Sequence, residues 1–154
     1  MLKKNFIFLL LLLLSSCGYE AIHSKKNSIK YNFSISEISF VGDREINLKI
    51  KERINNYTLS KKNRNFILKI FTVSEKVVLA KDTSGDATNF KNTISINVEI
   101  LMNNKLKSNF VILESFNYNN VSNKFDLKKY ENEIKNNLTE FATDKLIFRL
   151  SNIQ

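Results

Sequence analysis

Few side chains in this chain could do chemistry on their own. There is one cysteine, Cys17, and one histidine, His23. Catalysis would need a nucleophile with a base, a carboxylate pair in a cleft, or metal ligands at characteristic spacing. No such set is visible, although sequence alone does not rule out paired carboxylates, so the expectation is a non-enzyme without cofactor or metal. The run Asp82-Thr83-Ser84-Gly85-Asp86 resembles a calcium loop in its acidity. It lacks the alternating oxygen ligands and closing glutamate of an EF-hand, and it is the strongest turn signal in the chain, so it reads as a hairpin loop. His23 sits in a polar stretch without periodicity and reads as incidental. Cys17 remains, and as the only thiol it cannot form an intrachain disulfide.

The residues before Cys17 suggest its use. Lys3 and Lys4 precede Phe6-Ile7-Phe8 and an unbroken leucine run from Leu9 to Leu14. A charged start followed by a short apolar run is the layout of a secretory signal, and it is shorter than the roughly 20 apolar residues a membrane-spanning helix needs. Its end, Leu14-Ser15-Ser16-Cys17, resembles a bacterial lipobox, which presents the cysteine thiol for diacylglycerol attachment. Cys17 is therefore the expected lipid-attachment site and the first residue of the mature chain. An ordinary secretory signal is the alternative. Two or more acyl chains hold a protein stably on a membrane where one does so marginally. The expected organisation is a lipoprotein signal peptide over 1–16, a lipidated tether over 17–30 and one domain over 31–154.

Of 154 residues, removal of the first 16 leaves 138, enough for one ordinary core. Loss of Lys3 and Lys4 takes the formal charge from +9 to +7. A basic surface suits a polyanionic partner, but a periplasm-facing address argues against nucleic acid. The surplus lysine also reads as compositional bias, because the chain is rich in Lys, Asn and Ile and has no Pro or Trp.

The domain must then supply elements. Tyr31, Phe33 and Ile35 alternate with polar residues, and the alternation resumes out of phase at Ile38 and Phe40, which predicts a strand with a bulge near Ser36-Glu37. Asp43 is a good N-cap for a helix carrying Ile46, Ile50, Ile54 and Tyr57 on one face. A basic loop from Ser60 to Arg64 leads to a strand with apolar side chains on both faces, Phe66-Ile67-Leu68 and Ile70-Phe71, as in a central strand. Val77 to Leu79 continue it or form a second segment. Beyond the Asp82–Asp86 turn, Phe90, Ile94, Ile96, Val98 and Ile100 share one face of a strand, and Lys91, Thr93, Ser95, Asn97 and Glu99 share the other. Asn103-Asn104 turns into a fourth strand in which Phe110, Ile112, Phe116 and Tyr118 share a face. Asn123 then caps a long helix whose stripe is Leu127, Tyr130, Ile134, Leu138, Phe141 and Phe148, with Lys128 and Lys135 expected to be exposed. The expected fold is α+β: a four-stranded mixed sheet with two helices packed on one face, in the order β-α-β-β-β-α.

Together these features resemble the lipopolysaccharide-assembly lipoprotein family LptE, in its alphaproteobacterial short form. The residues that carry the resemblance are the start Cys17-Gly18-Tyr19-Glu20, the helix from Asp43 to Asn55, the strand from Phe66 to Val73, Ala87-Thr88 with the alternation of Phe90 to Ile100, Ser115-Phe116-Asn117-Tyr118 and the helical end. The chain departs from the family in its Lys and Asn content and in lacking prolines after the lipidated start. The resemblance implies an outer-membrane lipoprotein, anchored on the periplasmic side, that plugs and supports the LptD beta-barrel and contacts lipopolysaccharide. On that basis Lys69, Lys91, Lys105 and Lys107 are the candidate ligand-binding residues, lying on or beside strands, with plain solvated lysines as the alternative. A periplasm-facing lipid carrier, or a scaffold lipoprotein of another envelope complex, is the competing function. A carrier would need more strands closed around a cavity.

Overall fold

In the computed structural model, residues 32–59 and 61–153 are described. The expected signal, the tether, Cys17 and His23 lie outside them. The elements are β1 (Phe33–Gly42), α1 (Arg44–Ile54) with a short 3-10 turn (Asn55–Tyr57), β2 (Arg64–Lys81), β3 (Ala87–Met102), β4 (Lys105–Asn119) and α2 (Lys124–Ser151). The sheet order is β1-β2-β3-β4, parallel between β1 and β2 and antiparallel elsewhere. This is the α+β fold expected from the sequence, a mixed sheet with both helices on one face.

Local chemistry explains the turns. The register of β1 on β2 shifts between Ile35 and Glu37, the bulge that the broken alternation predicted. Gly42, at φ +102°, lies so close to β2 that a Cβ there would sit 1.9 Å from the Thr72 carbonyl oxygen, so only glycine fits. Asp43 follows, and its Oδ1 accepts from the N–H groups of Glu45 at 3.0 Å and Ile46 at 3.1 Å, starting α1. Asp82 Oδ1 accepts from the N–H groups of Ser84 and Asp86, so that carboxylate organises a turn. Asn103 and Asn104 both have positive φ, as a two-residue hairpin loop requires. Asn123 caps α2 by accepting from Phe125 and Asp126.

The core lies between the even-numbered face of the sheet and the helices. Phe66, Leu68 and Ile70 of β2 and Ile94, Ile96, Val98 and Ile100 of β3 are buried against Ile46, Ile50 and Ile54 of α1 and Leu138, Ala142, Leu146 and Leu150 of α2. The stripe expected on α2 is corrected here. Phe141 is 64% and Phe148 62% exposed, while Thr139, Ala142, Thr143, Leu146 and Ile147 are buried. The helix touches β4, β3 and α1, so its buried sector moves around the circumference along its length. The buried positions Ile134, Leu138, Ala142, Leu146 and Leu150 recur every four residues, each about 40° further round, so the contact turns away from Phe141 and Phe148. Phe116 shares the face of Ile112 and Tyr118, as the alternation predicted, but lies at the margin of α2 and is 46% exposed.

Candidate binding surface

The second face of the sheet has no element of the described chain over it. Its side chains are the odd-numbered positions of β2, β3 and β4 with Glu37, Ser39 and Val41 of β1. The register sets Val41, Phe71, Asn97 and Val111 in one row across all four strands, and Val73, Ser95 and Leu113 in the next. Five large apolar groups thus stand together on an uncovered face, with Phe71 48% and Leu113 64% exposed. Ser39, Val41, Lys69, Phe71, Asn97 and Glu99 line a shallow hollow of about 220 Å³ there. The apolar residues on both faces of β2 were correctly read as those of a central strand, but only one of those faces is covered.

Charge in the middle of this face is nearly balanced, with Lys69 and Lys91 against Glu37, Glu75 and Glu99, while Lys81, Lys105 and Lys107 lie at the strand ends. Lys69 lies directly across from Glu99, with Nζ 3.9 Å from its carboxylate and both side chains more than half exposed, a pair of small energetic worth. The four candidate lysines are not brought together. Lys91 pairs in register with Val77 and Asn117, and Lys105 with Met102 at the far end of β3. Eleven residues of strand separate those positions, roughly 36 Å at 3.3 Å per residue. Lys105 and Lys107 both follow the Asn103-Asn104 turn at the start of β4, opposite the register slip between Ile100 and Leu101.

Other polar groups prove structural. Lys135, expected to be exposed, is only 17% so: its Nζ reaches Asp43 Oδ2 at 2.8 Å and Glu45 Oε2 at 2.7 Å and ties α2 to the start of α1. Burial alone would raise the Asp43 carboxyl, but the Lys135 ammonium and the N–H groups of Ile46 and Glu45 outweigh it and hold it below its usual value. For Lys135, burial would lower the ammonium, and the two carboxylates reverse that and raise it. Tyr118 donates to Glu131 Oε1 at 2.9 Å, and burial followed by that carboxylate pushes the phenol far above its ordinary range. Lys76 also pairs with Glu131 and lies over the Phe90 ring. Arg64 donates from Nη1 to the carbonyls of Ser151 at 3.0 Å and Ile153 at 2.7 Å, holding the C-terminal end of α2. None of these partners was legible from spacing, because each joins residues far apart in sequence.

Among the described residues no three His, Cys, Asp or Glu are placed to hold a metal, and no helix is long and apolar enough to cross a membrane. The arrangement offers docking surface.

No family model matches the chain, and no curated protein matches it. Solved structures do. Rare lipoprotein B from Shewanella oneidensis matches with a TM-score of 0.58 at 15% identity, over 75% of this chain and 93% of that one. A minor lipoprotein from Acinetobacter baumannii matches with a TM-score of 0.57 at 11% identity, over 75% and 90%. Lipoprotein B from Nitrosomonas europaea matches with a TM-score of 0.55 at 13% identity, over 79% and 86%. The chain shares the fold of these bacterial lipoproteins.

Proposed function

We propose that this chain is an LptE-type lipoprotein of the outer membrane, lipidated at Cys17, which supports and plugs an LptD-like beta-barrel and contacts lipopolysaccharide. The observation that carries the reading is a fold common to several bacterial lipoproteins, on a chain whose Leu14-Ser15-Ser16-Cys17 fits a lipidation signal. The uncovered sheet face supports it further. Ser95, Asn97, Ser115 and Asn117 beside Phe71, Val111 and Leu113 make a mixed surface suited to the polar interior of a large barrel. The protein acts by binding, with no catalytic step.

Lipopolysaccharide contact is assigned to Lys69, Lys91, Lys105 and Lys107, whose ammonium groups are point charges for phosphate. Their spread means they engage one extended ligand at separate points or only in part. Replacing all four with glutamine is expected to weaken lipopolysaccharide binding and its salt sensitivity while leaving the fold and barrel association intact. Lys128 and Lys129, exposed on α2, are the control; Lys135 is unsuitable because it holds Asp43. Wild-type binding by the quadruple variant would leave the plug role resting on shape alone. For the anchor, intact mass should show an acylated Cys17, and a mature chain without lipid would refute the assignment.

A further inference from the structure

β4 is the last strand of the sheet, and the register fixes which of its backbone groups face outward. The Thr72 carbonyl accepts from the Asp43 N–H at 3.1 Å, so the even-numbered residues of β2 turn their N–H and C=O groups toward β1 and the odd-numbered ones toward β3. Phe71 lies opposite Asn97 and Val98 opposite Phe110, so the even-numbered residues of β4 bond to β3 and the odd-numbered ones face away from it. The N–H and C=O groups of Asn109, Val111, Leu113, Ser115 and Asn117 therefore form an edge without a backbone partner among the described residues. Such an edge is a template for pairing with another chain.

α2 presents unused side chains to the same edge. Phe116 of β4 and Phe141 of α2, with Ile134 and Leu138, line a hollow of about 220 Å³ that also touches Glu133. Phe148 lies seven residues beyond Phe141, on nearly the same side of the helix, and both are mostly exposed. A second hollow of about 330 Å³ lies further along the seam, at Phe110, Asn152, Ile153 and Arg149, whose guanidinium stacks on the Phe110 ring. Lys145 reaches from α2 to Glu114 of β4 between the two hollows. The charge changes along the seam. The segments 100–113 and 145–153 contain no Asp or Glu, and Arg149 enters no ion pair among the described residues.

We propose that the seam between β4 and α2 takes an extended segment of the partner protein as a fifth strand, with an apolar side chain in the Phe116–Phe141 hollow and a carboxylate at Arg149. Phe110 and Phe116 are six positions apart on one face, roughly 20 Å along the strand, so the segment carries its apolar and acidic residues six apart on one face as well. Main-chain bonds to the edge supply affinity and the two hollows supply specificity, as in other strand additions. An acyl chain could fill the first hollow, but it would cover the β4 N–H and C=O groups without pairing them. A second copy of β4 is also a poor fit, because its one carboxylate, Glu114, is already held by Lys145. The inference rests on the barrel reading above and deepens it by naming the kind of segment bound. A closed barrel wall has no free edge, so the segment comes from a part of the partner outside its wall strands.

The test compares residue-resolved amide exchange in the acylated mature protein alone and in the complex copurified with its large barrel. In the complex, exchange at Val111, Leu113 and Ser115 is expected to slow about tenfold or more, while Phe110, Ile112 and Glu114, already bonded to β3, stay as they were. Val111→Pro with Ser115→Pro removes two outward N–H groups and spares the ladder to β3, so it is expected to keep cooperative unfolding and lower barrel recovery about tenfold. Arg149→Glu is expected to lower it about fivefold, and wild-type recovery would overturn the carboxylate assignment. A recovered complex in which the odd-numbered amides exchange as in the free chain overturns strand addition and leaves the barrel reading standing. Protection that appears in the protein alone as its concentration rises, or with phospholipid or lipopolysaccharide vesicles alone, would give the edge to a second copy or to lipid and overturn the proposal. Failure to recover any barrel refutes the reading on which the inference rests, and the inference with it.

Discussion

The two faces of the sheet are built from the same strands by the same alternation, yet they carry different work. On the even-numbered face Leu68, Ile70, Ile96 and Val98 are sealed under α1 and α2. On the odd-numbered face Val41, Phe71, Val73, Val111 and Leu113 stand in adjoining rows with no element of the described residues over them. Burial of the first set drives folding. Exposure of the second adds nothing to folding and is the kind of patch that marks an interaction surface. The difference teaches that apolar character on both sides of a strand does not require two covered faces; one can be reserved for another molecule.

Substitutions separate the two faces, and the largest effect belongs to the covered one. Ile96 is wholly buried, so Ile96→Asp places an unpaired carboxylate in the core and is expected to cost about 4 kcal/mol or more, read as loss of cooperative thermal unfolding. Lys135→Met is next, at about 1–3 kcal/mol by denaturant titration, because it leaves Asp43 and Glu45 without their half-buried partner. The pH dependence follows from the two shifts. Asp43 is depressed in the folded state, so its contribution is present above its unfolded value near 3.8 and is lost as pH falls through the lower folded value. Lys135 is raised, so its contribution is complete below its unfolded value near 10.5 and is lost as pH rises beyond it. The penalty of Lys135→Met is thus expected to be full near neutrality and to shrink at both extremes; a penalty independent of pH would refute the ion pair.

On the open face the order of effects reverses between stability and binding. Phe71→Ser with Leu113→Ser is expected to change stability by less than about 1 kcal/mol, while removing much of the apolar surface offered to a partner. A collapse of stability would mean that the face is covered within the domain. Asn97→Asp, in the same row as Phe71, is the mildest, within about 0.5 kcal/mol by thermal unfolding. If it matched Ile96→Asp, the assignment of faces would be wrong.

The fold was legible because its signals are local. The alternation of Phe90 to Ile100, the Asp43 and Asn123 caps, the bulge before Glu37 and the turns at Asp82–Asp86 and Asn103-Asn104 are each written in a few neighbouring residues. What failed was long-range. The path of α2 across β4, β3 and α1 decides that Phe141 is exposed and Ala142 buried, and no seven-residue pattern encodes it. Lys135 looks like any helix-surface lysine until α2 is laid beside Asp43, 92 positions earlier. The candidate lysines shared a residue type and a proximity to strands, but only pairing register shows Lys91 far from Lys105 and Lys69 opposite Glu99. Register likewise reveals that Lys61 and Lys62, passed over as part of a basic loop, share an end of the sheet with Lys105 and Lys107.

The account's central claim is that the open face of an envelope lipoprotein is occupied by a large barrel. Its most direct measurement is affinity purification of the acylated chain with a photocrosslinking residue at Phe71 or Leu113, and a control at exposed Lys128 on the helix side. The account predicts recovery of a large outer-membrane beta-barrel, crosslinked from Phe71 and Leu113 far more strongly than from Lys128. Recovery with acyl lipid alone, or with a partner that crosslinks only from Lys128, would contradict it.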